Sequence, residues 1–221
     1  MFVGHYSVSF ALKTEKNRIP LWVLFLAAQF VDVLWAIFVL LGVEKMRVVP
    51  GITASNSLDL YYMPFTHSLI GALGWSLFAY LVYRSIAPHG NAPAAAILVG
   101  MAVFSHWILD LIVHRPDLSL YDDTLKVGFG LWNFKLIELL LEIVLVLYGV
   151  FLYLKNNPSV QHGRRIGTVI FAIVLILIQI FNSYGGQPTA TNEVFAISAL
   201  VAYGIFAGVA FWVEPKHHEV T

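Results

Sequence analysis

His106, Asp110 and His114 stand four residues apart in an otherwise apolar stretch, His106-Trp107-Ile108-Leu109-Asp110-Leu111-Ile112-Val113-His114. On a helix this i, i+4, i+8 spacing sets the three side chains on one stripe. An imidazole and a carboxylate one turn apart can chelate a divalent cation, as the His-x-x-x-His pair of zinc helices does. Glu138 and Glu142 repeat the i, i+4 interval in a later apolar run. Either one suits a ligand or a catalytic general base, but two carboxylates close together in a dry site need a cation or a proton between them. Three further groups stand alone in apolar surroundings: Asp32 (with Gln29 just before it), His67 within Thr66-His67-Ser68, and His5 near the start. The chain has no cysteine, which excludes disulfides and thiolate sites. Any metal is then held by imidazole and carboxylate, a donor set that favours zinc or another divalent ion.

The elements that must position these groups are membrane spans. Windows of about 20 apolar residues predict spanning helices at 20–43, 64–84, 92–114, 131–154, 165–184 and 193–213. The connections carry turn-forming and polar residues, for example His89-Gly90-Asn91 and Asn156-Asn157-Pro158. The longest, 44–63, holds a loop at Val49-Pro50-Gly51 and little else. An N-in, C-in arrangement puts Lys13, Lys16, Arg18, Arg84, Lys155, Arg164, Arg165 and Lys216 in the cytoplasm, against Lys45, Arg47, Arg115 and Lys126 outside. In that orientation Asp32 sits near mid-depth. His67, His106, Asp110, Glu138 and Glu142 fall in the outer half of the bilayer. Charged and titratable groups are costly in hydrocarbon, so four helices delivering them to one half is itself a functional signal.

Residues 3–14 are too short to span. They either lie on the surface as an interfacial helix or dip into the bilayer as the first arm of a hairpin turning at Lys16–Pro20. In the hairpin, His5 and Asp32 each lie about 13 residues from the turn, hence ~20 Å from the cytoplasmic edge at ~1.5 Å per residue. The matched depth favours the hairpin. The first positive charge, Lys13, follows a mostly uncharged stretch, unlike the basic start of a cleaved signal peptide.

Composition agrees. Of 221 residues, 59% are hydrophobic and 12% charged, with a mean hydropathy of +0.77. A soluble domain carries about 25% charged residues, so lipid must solvate much of this surface. The expected fold is an all-α, polytopic helix bundle: six spanning helices plus a short N-terminal helix in one integral membrane domain, residues 1–221. Thirteen basic residues balance thirteen acidic ones, leaving no positive field for nucleic acid. Oligomeric state is not readable.

Blander readings compete for several residues. A lone intramembrane His or Asp often only bonds a neighbouring helix. His114 and Arg115 read as a solvated helix end or, functionally, as contacts to an anionic head group. Asp117, Asp122 and Asp123 read as loop residues, Asp59 as a loop acid or a cap, and His217 and His218 as part of a polar tail. Trp22, Trp132 and Trp212 fall near span ends as interfacial belt residues; Trp35, Trp75 and Trp107 read as packing.

Gly4-His5, Asp32, Phe65-Thr66-His67-Ser68 and Ser105-His106-Trp107-Ile108-Leu109-Asp110 occur in an order that resembles the YdjM-like membrane-bound metal-dependent hydrolases, over roughly residues 4–142. The motifs of that family are an N-terminal Gly-His, an acidic Asp motif, a His-Arg-Gly-x-Thr-His-Ser signature and a later His-x-x-x-Asp. Its pattern is distantly similar to that of zinc-dependent phospholipases C. Two departures stand out: Tyr61-Tyr62-Met63-Pro64 where the signature has its upstream His-Arg, and a single Asp32 followed by Val33-Leu34 where the family has a paired Asp motif. The resemblance implies His5, Asp32, His67, His106 and Asp110 as metal ligands, with a divalent metal, zinc foremost, as cofactor.

Three functions remain in view. The leading one is a metal-dependent hydrolase of the bacterial inner membrane acting on a lipid or other phosphoester at the outer leaflet, with Glu142 or Glu138 as catalytic carboxylate. The others are a proton- or ion-coupled transporter, since intramembrane Asp, Glu and His also build proton relays, and a non-catalytic membrane scaffold.

Overall fold

The computed structural model describes residues 1–87, 92–186 and 191–214, so the expected loop at His89-Gly90-Asn91, and Lys216, His217 and His218, lie outside the described residues. It is an all-α bundle. Helix α1 (Tyr6–Leu12) follows a 3-10 turn at Val3–His5. Helices α2 (Leu21–Ala28) and α3 (Phe30–Leu40) come next, and after them α4 (Leu69–Ile86), α5 (Ala92–Val113), α6 (Lys135–Asn156), α7 (His162–Tyr184) and α8 (Asn192–Val213).

Five of these, α4 to α8, are long and apolar enough to cross a membrane, and α2 with α3 makes a sixth span bent by 52°. The outer faces fit lipid as the solvent: on α4 only Ala72 is buried, while Ile70, Leu73, Leu77, Phe78 and Leu81 are exposed. Water would not tolerate so continuous an apolar surface. The chain is an integral membrane protein.

The expected first span is broken. At Gln29 the backbone leaves helical geometry (φ −102°, ψ 7°), and the carbonyl of Ala28 turns to accept from His106 Nδ1 at 2.8 Å. Helix α1 lies inside the bundle as the first arm of a hairpin: Tyr6, Ser9 and Phe10 are 0–1% exposed. Ser9 Oγ donates to the Leu24 carbonyl on the second arm (2.9 Å). Tyr6, Phe10, Phe25, Phe171 and Phe206 pack into an aromatic core below the start of the chain.

The connections hold more than loops. Residues 44–63 form an antiparallel hairpin of β1 (Lys45–Val48) and β2 (Leu58–Tyr62), with Arg47 opposite Asp59. A smaller one pairs β3 (Leu118–Ser119) with β4 (Lys126–Val127). Asp59 is therefore neither a loop acid nor a cap but a strand residue bound to Arg47 Nε at 2.6 Å. Trp132 is no belt residue either; it is 5% exposed, packed with Met46, Leu58 and Leu118 beneath the hairpins.

Candidate metal centre

His106 and Asp110 project from one face of α5 toward the start of α4, the break between α2 and α3, and the 3-10 turn at the N-terminus. His67 sits in the turn before α4. Its carbonyl accepts from Trp107 Nε1 at 3.0 Å, and its N–H donates to the Met63 carbonyl at 3.2 Å. The motif Thr66-His67-Ser68 divides its work. Thr66 Oγ1 donates to Glu44 Oε2 (2.6 Å) and meets His67 Nδ1 at 2.8 Å. Ser68 Oγ caps α4 by accepting from the Gly71 N–H at 2.9 Å.

The imidazole Nε2 atoms converge. His67 Nε2 is 3.2 Å from Asp32 Oδ1 and 3.7 Å from Asp110 Oδ2. His106 Nε2 lies 3.4 Å and 3.1 Å from the same two oxygens. His5 Nε2 reaches Asp110 Oδ1 at 3.1 Å, and its ring stacks on His106 at 3.8 Å between centroids. His114 Nε2 is 3.5 Å from Asp110 Oδ2. Two sets of donor atoms each lie within 4.8 Å of one another: His5, His106 and Asp110; and Asp32, His67 and His106. Ligands on a tetrahedral ion at ~2.0–2.1 Å stand ~3.3 Å apart, so these spacings are those of atoms around a shared cation. His106 Nε2 is fully buried between the two carboxylates and aligned with neither among the described residues, a placement that suits a metal ligand.

The far nitrogens of three of these rings are held as ligand imidazoles usually are, whereas His5 Nδ1 is buried without a partner among the described residues. His106 Nδ1 meets the Ala28 carbonyl, His67 Nδ1 the Thr66 hydroxyl backed by Glu44, and His114 Nδ1 the Asp117 carboxylate at 2.8 Å. Each leaves Nε2 facing the centre. Tyr203, from the last span, donates to Asp32 Oδ2 at 3.0 Å. The α-amine of Met1 also contacts Asp110 Oδ1 at 2.7 Å, so the anionic centre attracts positive charge from the chain itself. This buried His/Asp group can hold a metal ion.

All five expected ligands, His5, Asp32, His67, His106 and Asp110, are therefore brought together. His114 is not a solvated helix end: it is 2% exposed and lies against Trp132 at 4.0 Å. Arg115 is no free head-group contact, because its guanidinium binds Asp59 and Asp117. Asp117, expected as a plain loop residue, is buried as the shared partner of His114 and Arg115. Glu142 faces the N-terminal segment: its carboxylate accepts from the N–H groups of Phe2 (3.1 Å) and Gly4 (2.7 Å) and from Gln179 Nε2 (3.1 Å). Glu138, one turn away, shares Gln179 at 3.4 Å. Both glutamates line a cavity of about 590 Å³ that also reaches Asp32, His67, Asp110 and His114.

The supporting roles of Glu44, Asp117 and Tyr203 are not evident in the sequence. Only Glu44 carries a signal there, as an acid at the very end of an apolar span. Compared with known proteins, the chain matches no family model, no curated protein and no solved structure.

Proposed function

We propose that this protein is a membrane-embedded, metal-dependent hydrolase acting on a phosphoester, a lipid foremost, reached from the outer leaflet. The observation that carries the reading is the approach of three Nε2 atoms to two carboxylates at 3.1–3.7 Å, in two ligand sets that share His106. The resemblance to the YdjM-like hydrolases supports it through the same residues, His5, Asp32, His67, His106 and Asp110. A donor set of imidazole and carboxylate without thiolate favours zinc. Such an ion lowers the pKa of a bound water and polarises the ester.

The chain's own groups supply the rest. His114, outside both ligand sets, has the arrangement of a general base: Nδ1 on the Asp117 carboxylate, Nε2 toward the centre. It takes the proton of the attacking water as the water oxygen bonds to phosphorus, and returns it to the alcohol oxygen as the ester P–O bond breaks. Asp117 holds the imidazole in the required tautomer, and Arg115 fixes Asp117 from behind. This assignment replaces Glu142, whose carboxylate is occupied by backbone donors.

Ion transport is the weaker reading. Below the cluster, α1 leads from His5 directly into the aromatic core of Tyr6, Phe10, Phe25, Phe171 and Phe206, an unsuitable path for a hydrated or relayed ion. The test is metal analysis beside hydrolysis of lipid phosphoesters by the purified protein. His106→Ala is expected to lose the divalent ion and activity together. His114→Gln is expected to keep the ion and lose hydrolysis by about 10²-fold or more. A wild-type protein without a stoichiometric divalent ion, or one whose ion survives His106→Ala, would falsify the reading.

A further inference from the structure

Helices α7 and α8 are joined at one end of the bundle and part at the other. Near Arg164 they touch: its Nη1 donates to the carbonyls of Trp212 and Glu214, and a Cβ added at Gly167 would sit 3.6 Å from Val213 Cγ1. One turn further along, Phe171 and Phe206 share a core, their ring centroids 6.3 Å apart. Beyond that point the two helices become walls of the 590 Å³ cavity. Gln179, Asn182 and Ser183 of α7 line it, as do Ser198, Ala199 and Ala202 of α8. Among the described residues no hydrogen bond or ring contact joins these two stretches. Gln179 bonds the glutamates of α6, and Ser198 Oγ the Val194 carbonyl of its own helix.

The gap between them is the open side of the cavity. Asp32, His67, Asp110 and His114, on the other side, belong to the His/Asp cluster. The 44–63 hairpin lines the cavity through Ser55, Ser57 and Leu58. It is fastened there: the Ser55 N–H donates to the Trp132 carbonyl, and Asn192 Nδ2 at the start of α8 to the Met46 carbonyl, both at 2.9 Å. Asn182 and Ser198, by contrast, line the cavity and are exposed at the same time. Ser198 and Ala202 stand six and ten residues beyond Asn192, hence ~9 and ~15 Å along the helix axis. That depth is inside the hydrocarbon of a core ~30 Å thick. Phe181, Val194, Ile197 and Val201 around the gap are exposed and apolar. A space with ionisable groups on one side and hydrocarbon at its mouth suits a molecule that has a polar and an apolar part.

We propose that the gap between α7 and α8 is a lateral portal for a membrane phospholipid, whose head group enters the cavity while its acyl chains stay in the bilayer. The small side chains of Ser198, Ala199 and Ala202 keep the passage wide. The substrate is then a phosphoester that carries its tails rather than one dissolved in water. That consequence rests on the hydrolase reading, whereas the portal itself rests on the parting of the two helices.

The test places the full-length, zinc-loaded protein in nanodiscs of phosphatidylglycerol and phosphatidylethanolamine in equal parts, a fraction of each carrying a photoreactive diazirine at the start of one acyl chain. Adducts are mapped by mass spectrometry after illumination. Trp35 and Tyr203 line the cavity and are only 4% and 6% exposed, so a lipid that stays outside the bundle does not reach them. The wild type is expected to be labelled there as well as on Leu77 and Leu81 of the lipid-facing α4. Ser198→Trp sets an indole in the portal, and is expected to cut the Trp35 and Tyr203 adducts by about tenfold or more while the α4 adducts and the metal content stay at the wild-type level. The deacylated, water-soluble forms of the same two phospholipids, at equal concentration, are expected to leave all adducts in place. Labelling of α4 alone, cavity adducts undiminished in Ser198→Trp, or their loss to the deacylated competitors each overturns the portal. The wild-type map decides by itself should the variant fail to fold. Hydrolysis of the two phospholipids, followed on the same samples, reports on the hydrolase reading: its absence with Trp35 and Tyr203 labelled removes the enzyme and keeps the portal, and its presence with neither labelled removes only the portal.

Discussion

The hydroxyl of Thr66 stands between a buried carboxylate and a candidate ligand imidazole, donating to Glu44 and meeting His67 Nδ1. On the proposed reading, its removal acts on a bound metal without removing a ligand side chain. Thr66→Val keeps the shape of the side chain, but His67 Nδ1 loses its acceptor and Glu44 keeps only the N–H groups of Phe65 and Thr66. Partners of this kind are worth about 10–100-fold in metal affinity. Competition with a calibrated chelator should therefore show Thr66→Val weaker by that factor and Thr66→Ser close to wild type. Unchanged affinity in Thr66→Val would mean that His67 is oriented by its packing alone. The same logic explains why Asp117 and Glu44 stay hidden in a sequence: their partners are set by folding.

Among the helices, α1 has the most to lose. Seven residues do not hold a helix on their own, so its position, and that of His5 at its start, depends on the surfaces around it. At Gly149 of α6 the backbones nearly touch: an added Cβ would lie 2.5 Å from the Ser7 carbonyl oxygen and 2.8 Å from its Cα. Small residues serve this close approach in membrane bundles. Gly149→Ala must push backbone against backbone, a strain of about 1–3 kcal/mol, and Gly149→Val more. Both should lower the melting temperature, and Val should also weaken metal binding by displacing His5, with helix content by circular dichroism unchanged. Metal binding untouched by Gly149→Val would show that His5 is dispensable. The six spans themselves are legible, because a bilayer demands about 20 apolar residues per crossing; the expected 193–213 is observed as Asn192–Val213. Depth along the spans then suffices to group His67, His106 and Asp110. The break at Gln29 is not legible, since a polar residue in mid-span reads as buried polarity rather than as an interrupted helix. Yet that break lets Ala28 orient His106. Strands of four or five residues in 44–63 are equally hidden, being too short for their alternation to stand out.

Across the whole molecule, the buried His/Asp cluster closes one end of the bundle and a buried ion pair closes the other. Lys13 Nζ lies 2.5 Å from Glu214 Oε1 and donates to the Ile19 carbonyl at 2.7 Å, while Glu214 Oε2 accepts from the Leu21 N–H at 2.7 Å. Asn157 ties the Lys13 carbonyl to the end of α6 at 2.9 Å, and Arg164 binds the Glu214 carbonyl from the start of α7. The pair thus joins the α1–α2 turn to the ends of α6, α7 and α8. Removing one member strands the other's charge, at a cost of about 3–5 kcal/mol, whereas replacing both avoids that penalty. Lys13→Met alone and Glu214→Gln alone should each lower the melting temperature strongly. The double variant should recover much of the loss, because groups in contact do not add. Additive losses would mean that each residue acts through its backbone contacts rather than through the pair. Metal content measured below the transition should match wild type in all three, since the aromatic core around Phe10 and Phe25 separates this end from His5. A variant that lost its metal while still folded would instead join the two ends into one cooperative unit, and the ion pair would then belong to the site.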